Sequence, residues 1–460
     1  MIKLKDIKSY SNKYEINKID VQANNFDIVP LLKVQHTKWL FLALCCYLLS
    51  QSFTIPIFPI GPSWALWPCL SDFAIALLII TFLINIWQTP PLSKPAKSIF
   101  LILFLVLYGS TLSYLSYLAS ANDTGQGRVF GIFQIYRLVQ FITVFFITAK
   151  IPLTPKRIAV LNRIMEIVVI FICLGIFLTY STIVPLSAVT AHLPQVGPWP
   201  EYAAWGNSGE GRGVGFISYN YAYTAVQVLL SITLKLCLSN SQKQEFRNSR
   251  LVLLSVFGCF LSSSRSGLAG IVLLAIIYWQ KNSKSFLKAI NFLVITTLIL
   301  LIVLLFLQLL GFNIDFDLAS QNSIFERQVT LLDARTSDNL SGRDEIWKER
   351  VEFLNENLIR WIVGTGFGSA LDSGNFAHML PLHIIIETGL IGLCAFTFLF
   401  YKILDYFYIY EVRSKPFFWG SIALLFTSTS QETFYPLPAF THFIGFYLCA
   451  LAIAFQTNVK

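Results

Sequence analysis

Four basic side chains in this sequence lie in segments where a charge is unusual. Arg212 lies in GEGRGVGF, Arg265 in SSSRSG, Arg343 in SGRDEIW and His378 in NFAHMLPLHIIIETG. A guanidinium can make paired hydrogen bonds to the oxygens of a phosphate group. An imidazole can take up a proton near neutral pH. If the fold brings these residues together, they predict a site that binds phosphate and moves a proton.

The elements that must position these residues are membrane helices. Of the 460 residues, 55% are hydrophobic and 13% are charged, whereas a soluble protein has about 25% charged residues. Several apolar runs approach the ~20 residues that a helix needs to cross a bilayer, such as 164–184 and 290–310. The sequence therefore excludes a water-soluble globule and predicts an all-α polytopic membrane protein. We attribute the net charge of +9 to membrane topology and not to nucleic acid binding.

The distribution of Lys and Arg indicates how the chain crosses the membrane. About twelve spans fit the hydropathy, namely 38–55, 64–87, 98–119, 129–149, 164–184, 216–238, 251–263, 266–280, 289–311, 378–401, 416–433 and 438–456. If the N-terminus is cytoplasmic, every short inside loop is basic, whereas the outside loops 56–63 and 431–437 contain no Lys or Arg. The polar residues 1–37 do not resemble a cleaved signal peptide and predict a cytoplasmic tail. Residues 38–457 then form the membrane domain, and the C-terminus is cytoplasmic too.

Two long loops on the outer side, 185–215 and 312–377, are expected to have a function, because long loops in compact proteins usually do. Within the second loop, Ser341–Trp361 is predicted to be an amphipathic helix that lies on the membrane. Its apolar stripe consists of Trp347, Val351, Leu354, Leu358 and Trp361. Ser341 and Asp344 have the spacing of a capping box, so Arg343 falls in the first turn. There, a guanidinium and unpaired backbone N–H groups would suit a phosphate.

This topology places all four basic residues on the outer face. Arg265 separates the apolar runs 251–261 and 267–279, and an ionisable residue at membrane depth is a functional candidate by default. The alternative is that Arg265 only reaches outward to water and ties the helix hairpin together. His378 opens the tenth span, where it could act as a base or simply mark the helix end. His383 lies about 140° away on a continuous helix, so the two imidazoles are predicted to face different sites, and no metal pair is implied.

The remaining polar and sulfur-containing residues have more ordinary interpretations. The eight cysteines lack metal-site or disulfide spacing and are predicted to be small core residues. Asp315 and Asp317 are weak metal-ligand candidates, because such spacing is common by chance. Asp72 and Arg137 are predicted to form a buried pair between the second and fourth spans. The glycines of GTGFGSA should shape a loop and not bind a nucleotide, since no strand precedes them. Glu387 and Glu432 receive no role.

Together, these segments resemble a known family, the O-antigen ligases and polymerases among the bacterial membrane glycosyltransferases. The resemblance covers about Arg212 to Gly392, within a family-like core of about 205–395. It rests on GRGVGF followed by Asn220, the SRSG turn, Arg343 before Ile346 and Trp347, the glycine string GTGFGSA, and His378 ten residues before Gly389. One difference is Met379, at a position where members often have Asn.

The resemblance implies a fold of the lipid-donor glycosyltransferase type in the bacterial inner membrane. It implies transfer of a glycan from undecaprenyl diphosphate to an acceptor hydroxyl on the periplasmic face, in the synthesis of surface polysaccharide such as O-antigen, lipopolysaccharide or exopolysaccharide. Arg212 and Arg343 would bind the diphosphate, with Arg265 supporting them, and His378 would be the general base or would orient the acceptor. The expected partners are the lipid-linked glycan, a glycan or lipid A-core acceptor, and membrane lipids. No cofactor or metal is expected.

Two alternatives stay open at this point. A polymerase would join repeat units on the lipid carrier, whereas a ligase would move the finished chain to another acceptor, and the same motifs suit both. The other alternative is a transporter or flippase of lipid-linked sugars. The sequence gives no convincing internal repeat, and the basic residues gather on one side of the membrane, so transport is less favoured.

Overall fold

The computed structural model describes thirteen stretches of the chain. These are residues 37–56, 67–119, 125–181, 183–184, 213–217, 221–239, 244–281, 287–288, 290–291, 343–372, 377–409, 415–436 and 442–457. Regular structure within them is helical, and the β contact found there is an isolated bridge between Pro56 and Cys69. The all-α prediction is therefore confirmed for the described part of the chain.

The described residues form fourteen α-helices. They are α1 Lys38–Ser50, α2 Leu70–Ile84, α3 Lys94–Leu118, α4 Gly125–Ala149, α5 Pro155–Tyr180, α6 Tyr221–Leu238, α7 Glu245–Leu261, α8 Arg265–Lys281, α9 Arg343–Asn355, α10 Leu358–Val363, α11 Ser369–Asp372, α12 Leu380–Ile409, α13 Lys415–Thr427 and α14 Phe443–Thr457. A short 3-10 helix at Ile86–Gln88 follows α2.

Helices α3, α4, α5 and α12 are each long and apolar enough to cross a membrane. Five further helices are also apolar, but their apolar stretches are only 10–17 residues long; they are α1, α2, α6, α8 and α14. At about 1.5 Å per residue, a helix of that length is shorter than the ~30 Å hydrocarbon layer. The predicted span 289–311 lies almost entirely outside the described residues, so twelve spans remain a prediction.

The core of the bundle is built around α6 and α14, which are buried on all sides. The described side chains of α6, from Ala222 to Leu238, are all buried, and so are those of α14 apart from Gln456. The outer helices instead expose apolar residues, such as Leu83 on α2, Leu105 on α3 and Ile167 on α5. Inner helices enclosed by outer helices with apolar outer surfaces are typical of a protein surrounded by lipid. Six of the eight cysteines are buried, as predicted, although Cys394 is exposed.

Helix termini meet at two opposite ends of the bundle. At one end, Thr54 N donates to Phe216 O (3.1 Å), Gly213 N to Leu261 O (2.9 Å) and Leu380 N to Ser428 O (3.0 Å). We call it the site end, and it comprises the C-terminal ends of α1, α5, α7 and α13 and the N-terminal ends of α2, α6, α8, α12 and α14. Because successive helices alternate in direction, distant parts of the sequence converge here.

The opposite end, which we call the basic end, carries buried and half-buried cations. Arg157 Nη1 donates to Thr37 Oγ1 at 3.0 Å, where the N-termini of α5 and α1 meet. Lys235 Nζ, near the C-terminus of α6, donates to Asn162 Oδ1 at 2.8 Å and Asn248 Oδ1 at 3.0 Å. Neutral oxygens thus solvate a buried ammonium, which would otherwise be costly to bury.

The predicted helix Ser341–Trp361 is broken in the structure. Helix α9 ends at Asn355, and α10 begins anew at Leu358. Asn357 caps α10, because its side chain accepts a hydrogen bond from Ile359 N at 3.0 Å. The prediction of one continuous helix was therefore wrong, and the interrupting signal was the Asn at position 357.

Part of the apolar stripe of that segment packs against the protein. Leu354 is fully buried in a small cluster with Ala377, Leu382 and Ile386, and Trp347 packs against the same cluster. By contrast, Leu358 on α10 is 75% exposed. Helix α9 thus packs on the first turns of α12, and contact of the segment with the membrane stays a prediction.

Candidate functional site

His378 has an unusual backbone conformation just before α12. Its φ is +48°, and Ser263 is the other non-glycine residue with positive φ among the described positions. A residue with a Cβ rarely adopts this left-handed backbone conformation, and it usually does so only where the surrounding structure holds it there. The backbone N–H of His378 donates to Oε1 of Glu432. This contact ties His378 to the segment between α13 and α14, while 41% of its side chain stays exposed.

Glu432 lies between two imidazoles. Its Oε2 is 3.8 Å from Nδ1 of His378, and its Oε1 is 3.8 Å from Nδ1 of His383. The prediction that the two histidines face different sites was wrong. It assumed one continuous helix, whereas α12 begins only at Leu380 and His378 has left-handed backbone torsions. Glu432 had no predicted role, although a carboxylate in an apolar stretch was the signal that could have suggested one.

A second buried carboxylate, Glu387, lies further along α12. Tyr435 donates its hydroxyl hydrogen to Oε2 of Glu387, and Ala370 N donates to Oε1 at 3.1 Å. The Tyr435 ring also packs edge-on against the ring of His383, with centroids 4.6 Å apart. Side chains from α12 and from the α13 to α14 segment therefore form one continuous polar group beneath His378.

The glycine string GTGFGSA fits closely around this group. Gly366 N donates to Glu387 O at 3.0 Å, and Thr365 N donates to Ile386 O at 2.7 Å. Gly364, Gly366 and Gly368 all have positive φ. A Cβ on Gly364 would lie 2.4 Å from the backbone carbon of Glu387, closer than real Cβ contacts allow. The prediction that these glycines shape a loop is confirmed, because they bring its backbone against α12, α3 and α4.

Arg343 begins α9 and is half-buried. One turn later, the indole N–H of Trp347 donates to Ala377 O at 2.8 Å, and Ala377 directly precedes His378. Residues four apart on a helix share a face, so this hydrogen bond places the first turn of α9 beside the His378 segment. Arg343 therefore begins a helix that is bonded to the residue before His378, and its part in the site stays a prediction.

Arg265 begins α8 and is also half-buried. The turn before it contains Ser263 at φ +59°, and Ser264 Oγ accepts a hydrogen bond from Gly267 N at 3.2 Å. Further along α8, Gly270 lies directly against Thr427, the last residue of α13. Because the segment after Thr427 carries Glu432, the start of α8 belongs to the same end of the bundle as His378.

Arg212 lies outside the described residues, as do Asp315 and Asp317. The residue that follows it, Gly213, donates its N–H to Leu261 O at the end of α7. Gly215 N then donates to Thr179 Oγ1 at 2.9 Å, and Thr224 Oγ1 donates to Val214 O at 2.6 Å. The chain that leads from Arg212 into α6 is therefore anchored at the site end, next to the turn that carries Arg265.

A separate buried ion pair joins α2 and α4, as predicted. Both guanidinium Nη atoms of Arg137 contact the carboxylate of Asp72, and the two side chains are 5% and 12% exposed. Gln140 Nε2 donates to Asp72 Oδ1 at 3.0 Å. His442 Nε2 lies 3.4 Å from Asp72 Oδ2, a contact that the sequence did not suggest.

Three potential metal ligands lie at or beside this ion pair. Cys69, Asp72 and His442 place one ligand atom each within 4.8 Å of one another. However, Arg137 Nη1 lies 3.1 Å from His442 Nε2 and already neutralises the carboxylate. A divalent cation would have to displace that guanidinium, so the geometry fits an ion pair between helices better than a metal centre.

Residues 251–397 match the family model described as O-antigen ligase. Three of the predicted site residues, Arg265, Arg343 and His378, lie within the matched residues, and so does Glu387. No curated protein and no solved structure matches the chain.

The match confirms the family resemblance inferred from the sequence motifs. The matched part of this chain, which is rich in apolar helices, is similar to the O-antigen ligases. Arg212, Glu432, Tyr435 and the Asp72 ion pair all lie outside the matched residues.

Proposed function

We propose that this protein is a membrane glycosyltransferase that moves a glycan from undecaprenyl diphosphate to an acceptor hydroxyl. The observation that carries the proposal is the setting of His378. Within the residues that match the O-antigen ligase family, a part-exposed imidazole is held beside a buried carboxylate, and the helix that begins with Arg343 packs against the same segment. A base and a cation at one site are what this transfer needs.

The proposed reaction exchanges one bond to the anomeric carbon of the donor sugar for another. The acceptor oxygen forms a bond to that carbon, and the bond from the carbon to the phosphate oxygen breaks. The bonding electron pair leaves with undecaprenyl diphosphate, and the hydroxyl proton passes to His378. We assign Nε2 as the accepting atom, because Nδ1 is the ring nitrogen nearest Glu432. A neutral imidazole in this orientation can act as a general base.

The arginines are proposed to stabilise the leaving group. Negative charge grows on the diphosphate as the bond to the sugar breaks, and a fixed guanidinium is already in position to stabilise it. Arg343 is best placed for this role, since Trp347 anchors its helix to Ala377. Arg212 is proposed to bind the same diphosphate, and Arg265 to support it. Because these cations can neutralise the leaving group, the proposed reaction needs no metal.

We also propose that the site end faces the periplasm and the basic end faces the cytoplasm of a bacterial inner membrane. Arg157 and Lys235 at the basic end support this orientation, because cytoplasmic segments carry an excess of Lys and Arg. The donor lipid would then enter from the outer leaflet. The polar head of the donor would meet His378, while its isoprenoid chain stays in the membrane.

The acceptor decides whether the enzyme is a ligase or a polymerase, and we favour a ligase. The test uses purified protein in lipid nanodiscs with the undecaprenyl diphosphate-linked glycan extracted from the source cells, with and without lipid A core. A glycan on lipid A core that forms only in the second mixture supports a ligase. A ladder of longer lipid-linked glycans from the donor alone would instead establish a polymerase.

The base assignment is tested separately with His378→Ala. We expect transfer to fall at least roughly a hundredfold, within the range that general-base catalysis supplies, while undecaprenyl diphosphate still binds. His383→Ala is not a neutral control, because His383 shares the carboxylate of Glu432. Thr429→Ala, an exposed residue of the α13 to α14 segment, is the better control. Wild-type transfer by His378→Ala would refute the assignment.

A further inference from the structure

The carboxylate of Glu432 is almost fully buried, with 2% of its side chain exposed. Burying a charge is costly unless other groups compensate it. Here the backbone N–H of His378 and the rings of His378 and His383 surround the two oxygens. Both histidines therefore face this one residue of the segment that follows α13. An arrangement that keeps a carboxylate beside a part-exposed imidazole points to proton chemistry.

We infer that Glu432 is the positioning residue of the transfer reaction: it fixes the left-handed backbone of His378 and stabilises the imidazolium that forms when His378 accepts the acceptor's proton. The inference rests on the proposed function of His378. Glu432 itself keeps its charge throughout, so the proton moves from the acceptor hydroxyl to the imidazole and no further. Glu432 lies beyond the residues that match the O-antigen ligase family, which end at 397, so the match itself assigns it nothing.

The two oxygens of Glu432 have different roles in this arrangement. Oε1 receives the backbone N–H of His378 and lies nearest His383, so it holds the backbone. Oε2 lies nearest Nδ1 of the His378 ring, so it sets the orientation of the ring and its response to protonation. His383 is fully buried and therefore cannot receive a proton directly from an acceptor in solution. The carboxylate of Glu432 is therefore buried between the rings of His378 and His383.

Other charged and titratable groups also lie near Glu432. His378 directly precedes α12, His383 and Glu387 lie on α12, and Tyr435 of the same segment as Glu432 donates to Glu387. Arg343 lies at the start of α9, which packs on α12. Glu432 is the carboxylate whose oxygens lie nearest the His378 ring among the described ion pairs. Replacing it should therefore lower the rate of transfer more than replacing an acid elsewhere on the surface.

The decisive variant is Glu432→Gln in the full-length protein. The amide oxygen can still accept the His378 N–H, but the negative charge is lost. We expect the maximal transfer rate to fall by about tenfold and the apparent KM for the donor to stay within about twofold. A lower maximal rate at an unchanged KM separates a positioning role from a loss of donor binding. Glu356→Gln, an exposed acid paired with Arg360, is the matched control and should leave both quantities unchanged.

The outcomes separate this inference from the proposed function. If His378→Ala is inactive but Glu432→Gln keeps the wild-type maximal rate, the role of Glu432 is refuted and that of His378 stands. If His378→Ala transfers normally, the base assignment itself fails. Should Glu432→Gln not fold, Glu432→Asp decides, because its carboxylate recedes from His378 by one methylene. The maximal rate of Glu432→Asp should then fall while its KM for the donor stays the same, and an unchanged maximal rate overturns the inference.

Discussion

Gly389 provides the most quantitative test of how the site is built. It interrupts α12 with φ +68° and ψ −172°, a region that is accessible essentially to glycine alone. An added Cβ would lie 2.2 Å from Ile362 O and 2.4 Å from Ile362 C. Both neighbours are backbone atoms of α10, so no side chain can rotate away. Gly389→Ala must therefore push α10 and α12 apart.

The expected destabilisation has two unfavourable contributions and one that partly offsets them. A residue with Cβ in this conformation costs ~1–3 kcal/mol, and overpacking against backbone costs ~1–3 kcal/mol more. The reduced freedom of the unfolded chain returns ~0.4–1 kcal/mol. The free energy of unfolding should fall by about 1–5.5 kcal/mol. For a chain of this size we expect the apparent unfolding temperature to drop by about 1.5–8 °C, extrapolating the trend for smaller domains.

The assay is thermal unfolding of purified protein in detergent at a fixed heating rate, because membrane proteins often unfold irreversibly. Gly109→Ala on α3 is the matched control, since a Cβ there meets nothing within 4 Å and alanine favours a helix by up to ~1 kcal/mol. Gly109→Ala should therefore be neutral or slightly stabilising. If Gly389→Ala unfolds within about 1 °C of the wild type, the close α10 to α12 contact is wrong, and so is the argument that glycine is required there.

Two further predictions concern the arginines and the membrane side. Arg343→Ala should fold normally but lose at least roughly tenfold in transfer rate, since a charge-assisted hydrogen bond contributes ~1.5–3 kcal/mol. Arg343→Lys should restore little activity because lysine lacks the planar fork of the guanidinium. Lys348→Ala is the control, and unchanged turnover in Arg343→Ala would exclude Arg343 from the site. Ser323→Cys should react with an impermeant thiol reagent in spheroplasts, whereas Ser241→Cys should not. The reverse labelling pattern would invert the proposed topology.

The sequence determined that the chain is built from membrane helices, and it supplied candidate residues for the site. Hydrophobic content and apolar runs required membrane helices, because unpaired backbone groups cannot be left in a lipid layer. Arg265 and His378 could be selected as candidates because ionisable side chains are costly in or beside apolar segments. Arg343 could be selected because it falls in the first turn of a predicted helix, where a phosphate could bind. The pairing of Asp72 with Arg137 followed from opposite charges at similar depths in two spans.

Tertiary structure decided which groups face one another. Glu432 lies 54 residues after His378, and only the return of α13 to the site end brings its carboxylate to the two imidazoles. Helical geometry would have separated His378 from His383, but the left-handed backbone at His378 ends the regular repeat on which that prediction depended. Likewise, the glycines of GTGFGSA indicated a loop, but their fit against Glu387 depends on contacts between segments distant in sequence. Periodicity reports the environment along one helix, whereas the partner of a buried charge is set by how the helices pack.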